Sequence, residues 1–190
     1  MGTPHPPEKA LLFLALLFAA QKVFDSSLPI FRERFGDILF ESPESAWSHS
    51  HYYDRELGTP VFRRFIFFDT LFDASTLPEI KLETNDLENA FSREGKRKIN
   101  IDPGYVTSSK VVLASAKDYS HRLYLGRGIY GEVALYFQKN RFHPMPYTYQ
   151  DYREPQGLDI FERARKELKK LTGSLRQEPD CRGVLPRQNI

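Results

Sequence analysis

Hydrophobic positions follow several periods along this chain. Residues 10–20 (ALLFLALLFAA) form one unbroken apolar run, which predicts a strand covered on both faces. Because the run follows Lys9, it also has the outline of an export-signal core. The three prolines and Glu8 of residues 1–9 argue against that reading, and eleven residues are too few to cross a bilayer. Nor is Met1-Gly2 a myristoylation start, since Pro6 stands where Ser or Thr is required. Next, Val23, Phe24, Leu28, Phe31 and Phe35 recur at helical spacing before Gly36. Ser26 or Ser27 is the candidate cap, with Pro29 in the first turn.

Ile38 and Phe40 then alternate as a short strand, and residues 62–68 form a second, strongly aromatic one. Thr76-Leu77-Pro78-Glu79 has the form of a capping box. Ile80, Thr84, Leu87 and Phe91 supply the inner face of the helix that follows. Residues 98–101 read as a strand running into a turn at Asp102-Pro103-Gly104. The order strand, helix, strand, strand, helix, strand predicts an α+β fold, a ferredoxin-like split βαβ sandwich with two helices on one face of an antiparallel sheet.

The second half extends that unit. Residues 106–116 are ambiguous between strand and short helix. Residues 121–125 and 129–137 predict a β-hairpin around Gly126-Arg127-Gly128. Ile129, Gly131, Val133, Leu135 and Phe137 would share one face, with Tyr130, Glu132, Ala134 and Tyr136 on the other. Leu158, Phe161, Ala164, Leu168 and Leu171 trace a terminal amphipathic helix stopped by Gly173. The expectation is one domain over residues 8–172 and a disordered tail over 173–190, without internal repeats.

Composition fits this picture. Of 190 residues 41% are hydrophobic and 14% aromatic, enough for one sizeable core. A single cysteine, Cys181, excludes an internal disulfide and a cysteine-based metal cluster, and suits a cytoplasmic location. The net charge is only +2, yet residues 93–127 hold eight Lys or Arg against three acids, a local +5. A focused basic segment in a nearly neutral chain points to an anionic ligand, although a solvated basic face explains the same counts.

Within residues 102–132 hydroxyls, cations and glycines concentrate. Lys110, Lys117, Arg122 and Arg127 are candidate anion contacts. Thr107 and Ser115 are candidate hydrogen-bond donors, and Asp102, Tyr105 and Tyr130 candidate pocket residues. Neither a Walker loop nor a dinucleotide fingerprint is present. His121 and Glu132 are the acid–base candidates, because adjacent hairpin strands can bring them together; a cross-strand partnership of Glu132 with Arg122 is the purely structural alternative. His49 and His51, near Asp54 and Glu56, resemble half a metal site without a third fixed ligand, so no metal is assigned, and no cofactor is indicated. Tyr52, Tyr53, Tyr147, Tyr149 and Tyr152 can stack on a ring or pin loops to a core.

The ordered pieces FESP, YYDRELG, RRFIFF, IKLETNDLE, the stretch NIDPGYVTSSKVVLASAKDYSHRLYLGRGIYGEVAL and YTYQDYR resemble a bacterial domain-of-unknown-function family, DUF4416, over residues 8–170. Two positions depart from the family pattern, with Ala116 before Lys117-Asp118 and Gly131 before Glu132. The resemblance implies an ordinary first strand in place of a signal peptide and brings no activity. From the residues, the expected function is binding, with turnover left open, of a small phosphorylated or carboxylated ligand. A single-stranded RNA module using residues 93–98 and exposed tyrosines is one alternative; a non-catalytic assembly partner using the terminal helix is another. A membrane partner is not expected, and the sequence does not indicate an oligomeric state.

Overall fold

The computed structural model describes residues 2–175. It is a mixed α+β structure with five helices and a nine-stranded, open, antiparallel sheet among those residues. The strands are β1 (Ala10–Phe18), β2 (Ile38–Glu41), β3 (Ser45–Ala46), β4 (Phe62–Phe72), β5 (Ile99–Val106), β6 (Lys110–Ser115), β7 (Leu123–Gly126), β8 (Ile129–Gln138) and β9 (Arg141–Pro144). The helices are α1 (Gln21–Phe35), α2 (Asp54–Leu57), α3 (Leu77–Ala90), α4 (Gln150–Arg153) and α5 (Pro155–Leu175). The main path runs β2-β4-β1-β5-β6-β8-β7, with β3 added to β4 and β9 to β8.

β1 is central and buried throughout, which is why no polar residue interrupts it. Leu12, Leu14, Leu16 and Phe18 face a core completed by Phe24, Phe31 and Phe35 of α1 and by Ile80 and Leu87 of α3. Leu11, Phe13 and Ala15 face the opposite core, where Phe161, Ala164 and Leu168 of α5 close the other side of the sheet. The sheet is therefore covered on both faces: α1 and α3 lie on one, and α5 lies on the other. Around Phe161, the rings of Phe13, Phe65 and Tyr152 pack with centroids 5.1–6.4 Å apart.

Several local expectations are corrected. α1 starts at Gln21, so Pro29 lies inside the helix and its missing N–H falls opposite the carbonyl of solvent-exposed Asp25. The capping box does not form, because Thr76 Oγ1 donates to the Asp73 carbonyl. Asp73 instead caps the short 3-10 turn Ala74–Thr76 by accepting from the Ser75 N–H at 2.9 Å. Residues 106–116 resolve into the end of β5, a turn and β6. Alternation in β8 breaks where its register against β6 shifts, so that neighbours Ala134 and Leu135 both enter the α5-side core. The helix α5 runs through Gly173 to Leu175. Beyond Leu175 the expected disordered tail and Cys181 lie outside the described residues. No helix among the described residues is long and apolar enough to cross a membrane.

Candidate functional site

Strands β5 and β6 pair over only three residues, Gly104 with Leu113, Tyr105 with Val112 and Val106 with Val111. Beyond Gly104 the two strands part, although β5 stays paired with β1 along its whole length. This changes the reading of Asp102-Pro103-Gly104, which is strand and not a turn. Ile101 turns its backbone N–H and C=O away from β1, toward the gap, and strand alternation gives Pro103 the same side. The N–H that proline lacks is thus one that β6 is no longer there to accept. Gly104 marks the parting point: a Cβ there would press on the Val112 carbonyl and the Phe13 ring.

The open edge of β5 is satisfied by charged side chains of α3. Glu88 Oε1 accepts from the Ile101 N–H at 2.6 Å, and Lys81 Nζ donates to the Ile101 carbonyl at 3.0 Å. Leaving those backbone groups unpaired would cost about 1–3 kcal/mol each. Between the strands lies a cavity of about 650 Å³, walled by β4, β5, β6, β8 and α3 and roofed by the loop that carries Trp47, His49, Tyr52 and Tyr53. A smaller cavity of about 210 Å³ lies on the other side of Arg63.

Ion pairs line the larger cavity. Lys81 Nζ lies 3.0 Å from Asp102 Oδ1, and Asn100 Nδ2 donates to Asp102 Oδ2 at 2.7 Å. Burial raises the Asp102 carboxyl, but the Lys81 ammonium, helped by Arg63 and the Asn100 hydrogen bond, outweighs it and holds the group below its ordinary range. Arg97 bridges Glu56, through Nε at 2.6 Å and Nη2 at 2.8 Å, to Glu88 and Asn100, through Nη1 at 2.7 and 3.0 Å. Hydrogen bonding from Arg97 lowers Glu56, whereas burial raises Glu88 in spite of its cationic neighbours. Arg122 donates to Glu132 Oε2 at 2.7 Å, Ser115 Oγ at 2.6 Å, the Lys117 carbonyl at 2.9 Å and Tyr149 Oη at 3.2 Å. Burial pushes the Tyr149 and Tyr53 phenols up, so both stay protonated at neutral pH.

The family described as Domain of unknown function (DUF4416) matches residues 8–168. The chain belongs to the DUF4416 family. No curated protein and no solved structure matches it.

In this DUF4416 chain the cavity gathers five of the anion-site and acid–base candidates, Asp102, Ser115, Lys117, Arg122 and Glu132, together with His49, Tyr52, Tyr53, Tyr149 and Tyr152. Lys117 has no carboxylate partner among the described residues, and its Nζ stands 5.3 Å from the Tyr52 ring centroid. His121 sits behind the wall, with Nε2 3.1 Å from Glu132 Oε2 and its ring stacked on Tyr147 at 4.1 Å. Glu132 thus joins His121 and Arg122 at one oxygen.

The other candidates lie elsewhere. Lys110 is exposed at the start of β6, and Thr107 Oγ1 accepts from the Ser109 and Lys110 N–H groups to hold the β5–β6 turn. Tyr105 packs edge-on to Phe72, and Tyr130 packs against Tyr124. Arg127 occupies the hairpin turn at φ 55°, exposed and 3.6 Å from Glu79. His51 is exposed and bonds Asp54, whereas His49 reaches the cavity; no group of three potential metal ligands occurs among the described residues.

Sequence reasoning missed Arg63, Lys81 and Glu88, and read Arg97 only as part of the basic stretch 93–98. Two of these carried a signal, since Lys81 and Glu88 interleave with Leu77, Thr84 and Phe91 at spacings of four and three, placing charges on a helix face that should be apolar. Arg63 gave none, and nothing local tied Arg97 to a carboxylate, because their partners Asp151 and Glu56 are distant in sequence.

Proposed function

We propose that this protein binds a small carboxylated or phosphorylated molecule in the cavity between β5 and β6. The observation that carries the reading is the stock of unused donors facing one space. Five cations line the cavity against three carboxylates. Lys81 spends two of its three N–H groups inside the protein, and Arg97 and Arg122 each spend four of five. Lys117 keeps all of its own. Buried ion pairs seldom stabilise a fold more than apolar residues of equal volume would, so three pairs grouped around a void are better explained by recognition than by stability. The volume is within the range of about 300–1,000 Å³ usual for small-ligand sites.

Of the acid–base pair only Glu132 lines the cavity, which favours binding over turnover. The RNA reading is weakened because Arg97, central to its basic stretch, is committed to Glu56 and Glu88. The assembly reading is weakened because α5 spends its apolar face on the sheet. The order β5-β1-β4-β2, with α1 and α3 on one face, supports a ferredoxin-like split βαβ core within one domain over residues 8–172.

The test is a thermal-shift screen of nucleotides, sugar phosphates and dicarboxylates. A true ligand at a hundred times its dissociation constant adds about 2.7 kcal/mol. Lys117→Ala, at an exposed position, should keep the unliganded melting temperature and lose most of that shift. If no anion stabilises the wild type, the reading fails.

A further inference from the structure

Glu132 is 3% exposed and lines the cavity, yet its two oxygens are in opposite situations. Oε2 accepts from Arg122 Nε at 2.7 Å and stands 3.1 Å from His121 Nε2. Oε1 is buried and has no hydrogen-bond partner. Buried acceptors are satisfied in more than about nine cases in ten, and an unsatisfied carboxylate oxygen is costlier than a neutral one. Glu132 is among the residues that wall the cavity, so a donor bound there is the candidate partner. Arg122, which fixes Glu132, also holds the Lys117 carbonyl, so the orphan acceptor and the unpaired ammonium belong to one linked patch. Tyr119, over whose ring Arg122 lies at 4.6 Å, and Tyr149 add flat apolar surface beside it.

We infer that the ligand is an anion that also carries an amino or ammonium donor. Its acid group meets Lys117, and its N–H meets Glu132 Oε1. An aminopurine or aminopyrimidine nucleotide and an acidic amino acid share this chemistry, whereas an unsubstituted-purine nucleotide and a plain dicarboxylate lack it. A site built to accept a hydrogen bond rejects the analogue without the donor, because the acceptor stays unpaired. The inference rests on the proposed anion site and narrows it.

Titration calorimetry on the intact wild-type chain with two matched pairs, AMP against purine riboside 5′-monophosphate and glutamate against glutarate, separates the sources. In one pair the amino-bearing member should bind at least about tenfold more tightly. Glu132→Gln, which replaces one oxygen by a donor, should erase or invert that preference while Lys117→Ala weakens both members of the pair alike. Should Glu132→Gln fail to fold, the wild-type comparison alone decides. Equal affinity within both pairs, or preference for the member without the amine, overturns the inference and leaves the anion site standing. If none of the four compounds binds, the inference falls, and the anion site is decided by the wider thermal-shift screen.

Discussion

At the residue scale, Lys81 shows how a single buried charge supports several neighbours. It is 5% exposed, closes the open edge of β5 through the Ile101 carbonyl, and pairs with Asp102. Lys81→Met keeps the length of the stem and removes the ammonium, leaving a carboxylate and a carbonyl without their donor. Urea unfolding at neutral pH should show a loss of about 1–3 kcal/mol, the cost of leaving a buried acceptor without its donor, since Lys81 is buried while the Asp102 side chain keeps some contact with solvent. The pH profile gives a second reading. Because the Asp102 carboxyl is held below its ordinary range, the unfolded chain takes up that proton first as pH falls. The pair's contribution is therefore complete above the ordinary carboxylate range and disappears as pH drops through the folded value. In Lys81→Met the main lowering influence is gone while burial still raises the carboxyl and only Arg63 and Asn100 still lower it, so the acid limb of stability should move to higher pH. An unmoved limb would show that Lys81 does not set that carboxyl.

At the element scale, the parting of β5 from β6 organises the site, and it was only half visible in the sequence. Alternation and aromatic content identify β1, β4 and the β7–β8 hairpin, because burial on a sheet leaves a local pattern. Pro103 and Gly104 mimic a turn equally well, since turn propensity is local whereas the tolerance of a proline in β5 depends on whether β6 is still alongside. Gly104→Ala should report on this point. Its methyl would press on the Val112 carbonyl and Phe13, backbone and core that cannot withdraw, so a loss of about 1–3 kcal/mol in urea unfolding is expected. The helix α5 gives a complementary test. Phe161 is fully buried against Phe13, Phe65 and Phe67, so Phe161→Ala should cost about 3–5 kcal/mol without altering sedimentation. Intact stability together with a changed association state would instead return α5 to the role of a docking helix.

At the scale of the whole molecule, the sequence located one wall of the site and hid the rest. Ser115, Lys117, Arg122 and Glu132 stand out because they crowd into a single stretch, and Asp102 because it opens that stretch. Arg63, Tyr53 and Arg97 reach the same cavity only through the sheet order and the long roof loop, which no local spacing encodes. The fold also redistributes the charge that first suggested an anion. Arg97 and Arg122 turn inward to carboxylates, while Lys110 and Arg127 stay outside the cavity, so the local +5 is not one continuous basic face. A polyanion would find few aligned cations on it. A small anion in the cavity meets chiefly Lys117 and single N–H groups shielded from the solvent. Between about 50 and 200 mM salt, a tract of six to ten phosphate contacts loses about 10³–10⁵ in affinity. The best small anion should lose less than about tenfold over that range, because it meets only one exposed cation and its remaining contacts are weakly screened. Calorimetry at the two salt concentrations, with single-stranded RNA run beside the small anion, distinguishes them: steeply salt-dependent RNA binding that survives Lys117→Ala would move the functional surface out of the cavity and onto the exterior of the sheet.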